Sequence, residues 1–510
     1  MHDHRHENKT DTESLAGTIR RSGVYVLIGK LITPVLTFLI TVYIVRKLDV
    51  GQYGIYNILL AVMAYVGLLS SLGLVHIFKR FLPEFLQHKA IGSIRRMVMS
   101  GLGVRLILSL LFLVLIGILS GHLGKLLKIE NFGFYFQWFA LGILFFLESQ
   151  LLGVALVSIF LHRFFVLAQI GYSLIRAGIV VFLLESGYDL RGLLIAESLG
   201  FLILVLLQSA AFHRGFLRLH PGEKGETLPW KRVIRYGGFS YFNEMGEQIL
   251  DVSTDFFIIS AFLGAHETGL YAFSAEVMRM IYRWMPHYLL MDVITPAFFT
   301  RYTRNRKDVE LGQMFNLIFK SICFLFMPIV VGIFVLGDKM VATLFDPKYL
   351  EALPVLWIVA GFTLINASAF PLGLVVEAVE KVEIHFYGKM FSIYNLIGDL
   401  LVVKPFGIIG VAVVTSTAIL FKNLYTFFRI RKWVTFSIDW RSLLIILENA
   451  LFMGAMVYLM RPLAGTLHGF IGVVLAGCII YLAAAIFHKA FNAMERDQLK
   501  RIVPGSRFPF

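Results

Sequence analysis

The chain has 510 residues, 58% of them hydrophobic and only 16% charged, and its mean hydropathy is +0.76. Soluble domains carry roughly 25% charged residues, so this composition excludes a water-soluble globular protein and indicates an integral membrane protein. The formal net charge of +14 falls mainly in loops, which removes the case for a nucleic-acid partner, and the two cysteines, Cys323 and Cys478, lie inside apolar runs, so they imply neither a disulfide framework nor a metal site.

Residues 1–21 form a polar tail in which His2, His4 and His6 alternate with charged residues, read here as a solvated segment. The apolar run after Arg20 and Arg21 is too long for a signal-peptide core and is read as an uncleaved first helix. A helix needs about 20 apolar residues to cross the hydrocarbon core. Runs of that kind predict fourteen spans, near 22–45, 54–78, 97–119, 134–160, 165–184, 191–212, 238–262, 268–299, 313–336, 353–376, 386–403, 407–428, 442–460 and 468–488. With the N-terminus inside, the clusters Lys79/Arg80/Lys89/Arg95/Arg96, Arg214 to Arg235, Arg301 to Lys307 and Arg429/Arg431/Lys432 all share the cytoplasmic side. Positive loops remain in the cytoplasm, so both termini are expected there and the protein in a cell (inner) membrane.

The most unusual stretch is Gly237 to His287, two hydrophobic segments joined near Gly264. Glu244, Glu247, Asp251 and Asp255 recur at helical spacing on the first, and Glu276, Arg279, Arg283 and His287 repeat the same offsets on the second. On continuous helices these form an acidic stripe and a mainly basic stripe. Charges inside a bilayer are costly and normally face a partner or a water-filled cavity, which makes this hairpin the candidate site.

The chain also repeats itself. Leu48 followed by Gly54-Ile55-Tyr56 is matched at the same spacing by Leu263 followed by Gly269-Leu270-Tyr271. Each copy follows the first helix of a six-helix block, so the repeat is parallel. The predicted organisation is a tail at 1–21, an N-lobe at 22–212, a basic linker at 213–237, a C-lobe at 238–428, two further helices within 442–488 and a tail at 489–510.

On these residues, together with Leu344-Phe345-Asp346-Pro347-Lys348-Tyr349-Leu350-Glu351-Ala352 and Pro405-Phe406-Gly407-Ile408-Ile409-Gly410-Val411-Ala412, the chain resembles the polysaccharide-biosynthesis (O-antigen) flippases of the multidrug/oligosaccharidyl-lipid/polysaccharide exporter superfamily. It departs from their pattern at Asp346, where a glycine is common, and at Lys404, where an apolar residue is common. The resemblance implies an all-α polytopic membrane protein with two parallel pseudo-symmetric six-helix lobes around a central cavity. It implies alternating-access transfer of a polyprenyl-diphosphate-linked oligosaccharide to the outer leaflet, alongside glycan polymerases and glycosyltransferases, with no cofactor and no catalysis.

Within the spans, Lys30, Arg279 and Arg283 are the candidate cavity contacts, because a diphosphate calls for cations and Arg binds its oxygens in a bidentate fork. The alternative is that the arginines pair with Asp251, Asp255 or Glu276 and hold two helices together. Asp251 and Asp255 could bind a coupling Na+ or H+, but the opposite charges at hand favour salt-bridging over that reading. Competing functions are a cation-coupled multidrug antiporter of the same superfamily and a membrane glycosyltransferase or ligase. The short outer loops, without a convincing carboxylate pair, argue against the enzyme.

Overall fold

The computed structural model describes residues 32–219, 228–285, 308–381, 383–436 and 438–502, with isolated positions at 29 and between 288 and 299. Every regular element among the described residues is helical, and ten helical segments among them are long and apolar enough to cross a membrane. This is an all-α polytopic membrane protein. Two compact units divide the chain between Gln248 and Ile249.

The first unit contains α1 (32–47), α2 (Val50–Ser71), α3 (Leu74–Gln87), α4 (Ile91–Leu126), α5 (Phe132–Ser158), α6 (His162–Glu185), α7 (Asp189–Gly215) and nearly all of α8 (Trp230–Ile249). Asp49 starts α2 through a capping box, accepting from the Gln52 amide at 3.0 Å, which satisfies a backbone donor that the first turn leaves open. The span expected at 54–78 ends early, at Ser71, because Leu72 and Gly73 are both left-handed. Gly73 is required twice over. Its φ is +74°, and a Cβ there would stand 2.3 Å from the carbonyl oxygen of Gly237 on α8, so only glycine allows the two backbones to meet.

The remainder of the expected span is the separate amphipathic helix α3. It buries Ile77, Phe78, Phe81 and Leu82 in a cluster with Ile94, Leu151, Leu152, Phe212 and Val233. Arg232 of α8 forks onto Glu84 of α3 at 2.7 and 3.1 Å, and Arg80 adds a 2.7 Å contact. The hydrogen bond from Arg232, opposed by slight burial and helped by the charges of Arg232 and Arg80, holds the Glu84 carboxyl below its ordinary 4.5. A depressed folded pKa contributes stability above the unfolded value, and that contribution is lost as pH falls through the folded value. Thermal unfolding in detergent should therefore show a smaller acid-induced drop in Tm below pH 4.5 for Glu84→Gln than for wild type. Equal acid sensitivity would remove Glu84 from the linkage.

The second unit holds α9 (Val252–Leu263), α10 (Ala265–Arg283), α11 (Asp308–Leu344), α12 (Leu353–Ile365), α13 (Ala369–Ala378), α14 (Glu383–Gly388), α15 (Phe391–Ile430), α16 (Trp440–Met460), α17 (Leu467–His488) and α18 (Ala493–Ile502). The span expected at 238–262 is broken at Leu250–Asp251. Asp251 is the N-cap of α9, accepting from the Ser253 amide at 2.9 Å. An N-cap has non-helical φ/ψ, so the four acids of the supposed stripe do not lie on one continuous helix. Asp346, one of the departures from the family pattern, caps the turn Pro347–Ala352 by accepting from the Lys348 amide at 3.0 Å.

The two spans expected at 386–403 and 407–428 are observed as the two limbs of α15, which fold back on each other at Gly407: the Tyr394 and Thr417 hydroxyls meet at 3.1 Å, and the Phe391 and Phe421 rings lie 6.2 Å apart. Its bend is Gly407, with φ 60° and ψ −151°, a conformation that is essentially glycine-only. Pro405 sits two residues before it and withholds a backbone donor at the same bend.

Lys320 of α11 is buried among α16 and the C-terminal segment. Its ammonium donates to Asp439 at 2.9 Å, Glu495 at 2.8 Å, Ser442 at 3.1 Å and the Ala490 carbonyl at 3.2 Å. Asp439 also caps α16, accepting from the Ser442 amide at 3.1 Å. Its partial burial is outweighed by the hydrogen bonds from Ser442 and Lys320, and its carboxyl lies below its usual value.

Candidate functional site

The repeated tyrosines each serve a buried acid, and the two acids differ in what surrounds them. In the first unit Tyr56 donates to Glu197 at 2.8 Å. Arg176 forks onto the same carboxylate from α6, so that acid carries its own cation. In the second unit Tyr271 of α10 donates to Asp255 of α9 at 2.6 Å, and Thr415 of α15 donates to the same oxygen at 3.0 Å. Here the neighbour is a second acid. Asp399, on the first limb of α15, stands within electrostatic reach of Asp255, and Asn395 lies one turn before it.

Asp255, Asn395 and Asp399 are all 0% exposed. Oδ1 of Asp255, both oxygens of Asp399 and both side-chain polar atoms of Asn395 have no hydrogen-bond partner among the described residues. Among the described residues no Lys, Arg or His forms an ion pair with either aspartate. Buried polar atoms are normally satisfied, and two adjacent buried carboxyls cannot both carry charge without cost. The arrangement is consistent with one that takes up a cation or a proton. Its donors are hard oxygens from carboxylates, an amide and a hydroxyl, which suit a small alkali ion and offer nothing to a soft transition metal.

Helix geometry explains how the sequence builds this cluster. Asn395 and Asp399 are four residues apart and share a face of α15. Asp255 lies in the first turn of α9, where the cap at Asp251 has already satisfied an open backbone N–H. Thr415 lies beyond the Gly407 bend, so both limbs of α15 contribute.

Arg279 and Arg283 are elsewhere. Arg279 donates to Glu276 at 2.7 Å, and Arg283 stands 3.7 Å from the other oxygen of that carboxylate. Two guanidinium groups thus share one acid, and their side chains remain 42% and 35% exposed. Arg283 lies in the last turn of α10, where the helix dipole favours a cation. Of the hairpin's other acids, Glu244 accepts from Ser71 at 2.8 Å and pairs with His76 at 3.1 Å within the first unit. Lys30 lies outside the described residues, as do His287, Pro286 and Pro296.

A family model described as polysaccharide biosynthesis protein matches residues 43–354, more than half of the sequence. The chain belongs to the polysaccharide biosynthesis protein family. It is similar to the probable low-salt glycan biosynthesis flippase Agl15 of Haloferax volcanii, with 21% identity over 95% of this chain and 99% of that protein. The teichuronic acid biosynthesis protein TuaB of Bacillus subtilis is also 21% identical, over 41% of each. Among solved structures, the lipid II flippase MurJ shares the fold at a TM-score of 0.70 and 14% identity, covering 91% of this chain and 99% of its own. An inward-facing multidrug transporter of the MATE family aligns at 0.58 and 11% identity, over 80% and 98%.

For this polysaccharide biosynthesis protein, the structure joins Asp255 to three residues that sequence reasoning left unassigned: Asn395, Asp399 and Thr415. The Asn-x-x-x-Asp spacing on an apolar helix was the available signal, and Tyr271 was already marked by the repeat.

Proposed function

We propose that this protein is a flippase for a polyprenyl-diphosphate-linked oligosaccharide, working by alternating access and driven by a cation or proton taken up at the Asp255–Asp399 pair. The observation that carries the reading is that pair, buried in a membrane-spanning unit without a counter-cation among the described residues, in a chain of the polysaccharide biosynthesis family. A static scaffold has no use for two uncompensated buried acids, whereas a transporter gains a site whose occupancy biases its conformational equilibrium. The names of the relatives supply the cargo class, since Agl15 is described as a glycan biosynthesis flippase and MurJ as a lipid II flippase. Transport moves an intact molecule, so no catalytic residue is called for.

Arg279 and Arg283 are the head-group contacts in this proposal. Glu276 neutralises one of the two charges, which leaves a net cation and free N–H groups for diphosphate oxygens. The same charge disfavours a cationic drug as cargo. Lys30 is proposed as a third contact. By the positive-inside pattern, both termini and the basic loops are cytoplasmic in a cell membrane, where glycosyltransferases deliver the substrate and a polymerase uses it after transfer.

The test is a flipping assay with purified protein and a labelled lipid-linked oligosaccharide. Arg279→Ala/Arg283→Ala is expected to reduce flipping by about tenfold or more, the loss of roughly 1.4 kcal/mol of binding, with insertion and melting temperature unchanged. Wild-type flipping in the double variant would refute the contacts.

A further inference from the structure

We propose that the first half of α8, with the hollow that it forms beside Pro229, binds the phosphate head groups of anionic lipids in the leaflet that it borders. Topology places this segment at a membrane face. α3 joins two consecutive spans, α2 and α4, so it lies where the chain turns back. α8 is seated directly on α3 through the Gly73–Gly237 approach, the edge-to-face pair Phe81–Tyr236 at 5.7 Å and the Arg232–Glu84 fork. Four crossings, α4 to α7, separate α3 from the segment that leads into α8. An even number of crossings returns that segment to the same face.

The side chains of α8 divide accordingly. Val233 and Gly237 are buried against α3. Trp230, Ile234, Phe239 and Phe242 point outward, Phe239 being 72% exposed. Lys231 and Arg235 are interleaved with them, both exposed and four residues apart on one stripe. Arg232 is already committed to Glu84, whereas neither Lys231 nor Arg235 has an ion-pair partner among the described residues. Trp230, Lys231, Arg235 and Phe239 line a hollow of about 750 Å³. Aromatic and aliphatic groups interleaved with unpartnered cations are the pattern of a helix at the head-group boundary, where apolar side chains enter the acyl edge and cations meet phosphate. A membrane-embedded chain presents this surface permanently to lipid, so the complementary partner is the anionic lipid of the bilayer itself.

The experiment uses the full-length protein in vesicles that contain either brominated phosphatidylglycerol or brominated phosphatidylcholine. Bromine quenches nearby tryptophan, and the Trp230 contribution is isolated by difference from Trp230→Phe. In the wild type the anionic brominated lipid is expected to quench that contribution roughly twofold more than the zwitterionic one, and Lys231→Gln/Arg235→Gln is expected to abolish the difference. Both substituted side chains are exposed and have no ion-pair partner among the described residues, and the wild-type comparison stands independently of the variant. Equal quenching by the two lipids in the wild type would overturn the proposal. So would loss of the difference on adding inorganic phosphate at unchanged ionic strength, because the hollow would then be a site for soluble anions.

Discussion

Asp399→Asn is expected to abolish ion-driven transport while leaving the protein folded. The substitution keeps the side-chain shape and removes one titratable acid from a site in which neither has a counter-cation among the described residues. Folding stability should hold or rise, because the native state no longer confines two acids in a poorly screened interior. At the proposed site the oxygens that residue 399 offers to a cation are cut from two to one, and gradient-dependent flipping should fall at least tenfold, equivalent to about 1.4 kcal/mol of barrier. Asp255→Asn should give the same transport phenotype with some loss of stability, since Tyr271 and Thr415 both donate to that carboxylate and an amide accepts less strongly than an anion. Reconstituted vesicles with an imposed Na+ or proton gradient measure the first quantity, and thermal unfolding measures the second. Wild-type gradient dependence in Asp399→Asn would sink the coupling assignment.

The largest effect on stability is expected at Lys320. Its ammonium is 1% exposed and joins α11 to Asp439 at the start of α16 and to Glu495 at the start of α18. Lys320→Met fills much of the same volume but strands the acids. Removing one partner of a buried pair typically costs about 3–5 kcal/mol, although Asp439, partly open to solvent, recovers some hydration. Melting temperature should drop sharply, and limited proteolysis should release the segment around α18 first. Adding Glu495→Gln to Lys320→Met removes the stranded charge, so the double variant should melt above the single one. Strict additivity in that cycle would show that the two residues do not interact.

Much of the fold was legible because apolar run length is set by bilayer thickness. The expected positions of α4 to α7, α11, α16 and α17 lie close to the observed ones. The misreadings occurred where one local feature overrides a run. Leu72-Gly73 turns the chain left-handed inside what reads as a continuous span, and Asp251 caps a helix inside another. The Asp251-Val252-Ser253 triplet was the visible clue, since Asp two residues before a free amide is a capping pattern. Treating Asp251 as one more member of a stripe concealed it.

The site was half legible. Tyr271 and Asp255 were marked by repeat and by charge. Asp399, however, is 144 residues from Asp255 in sequence, and no local rule joins positions so far apart. The arginines illustrate the opposite limit. Their nearest acid was Glu276, three and seven residues back on the same helix, and local spacing decided the pairing over the more distant aspartates.

The Gly407 bend has a mechanical corollary. Asn395 and Asp399 stand on one limb of the α15 hairpin and Thr415 on the facing limb, so at the proposed site a guest that touches all three would clip the two limbs together. Tight binding when the limbs are closed and weak binding when they part would make the guest a clasp across the hairpin. By reciprocity, whatever parts the limbs would loosen the clasp.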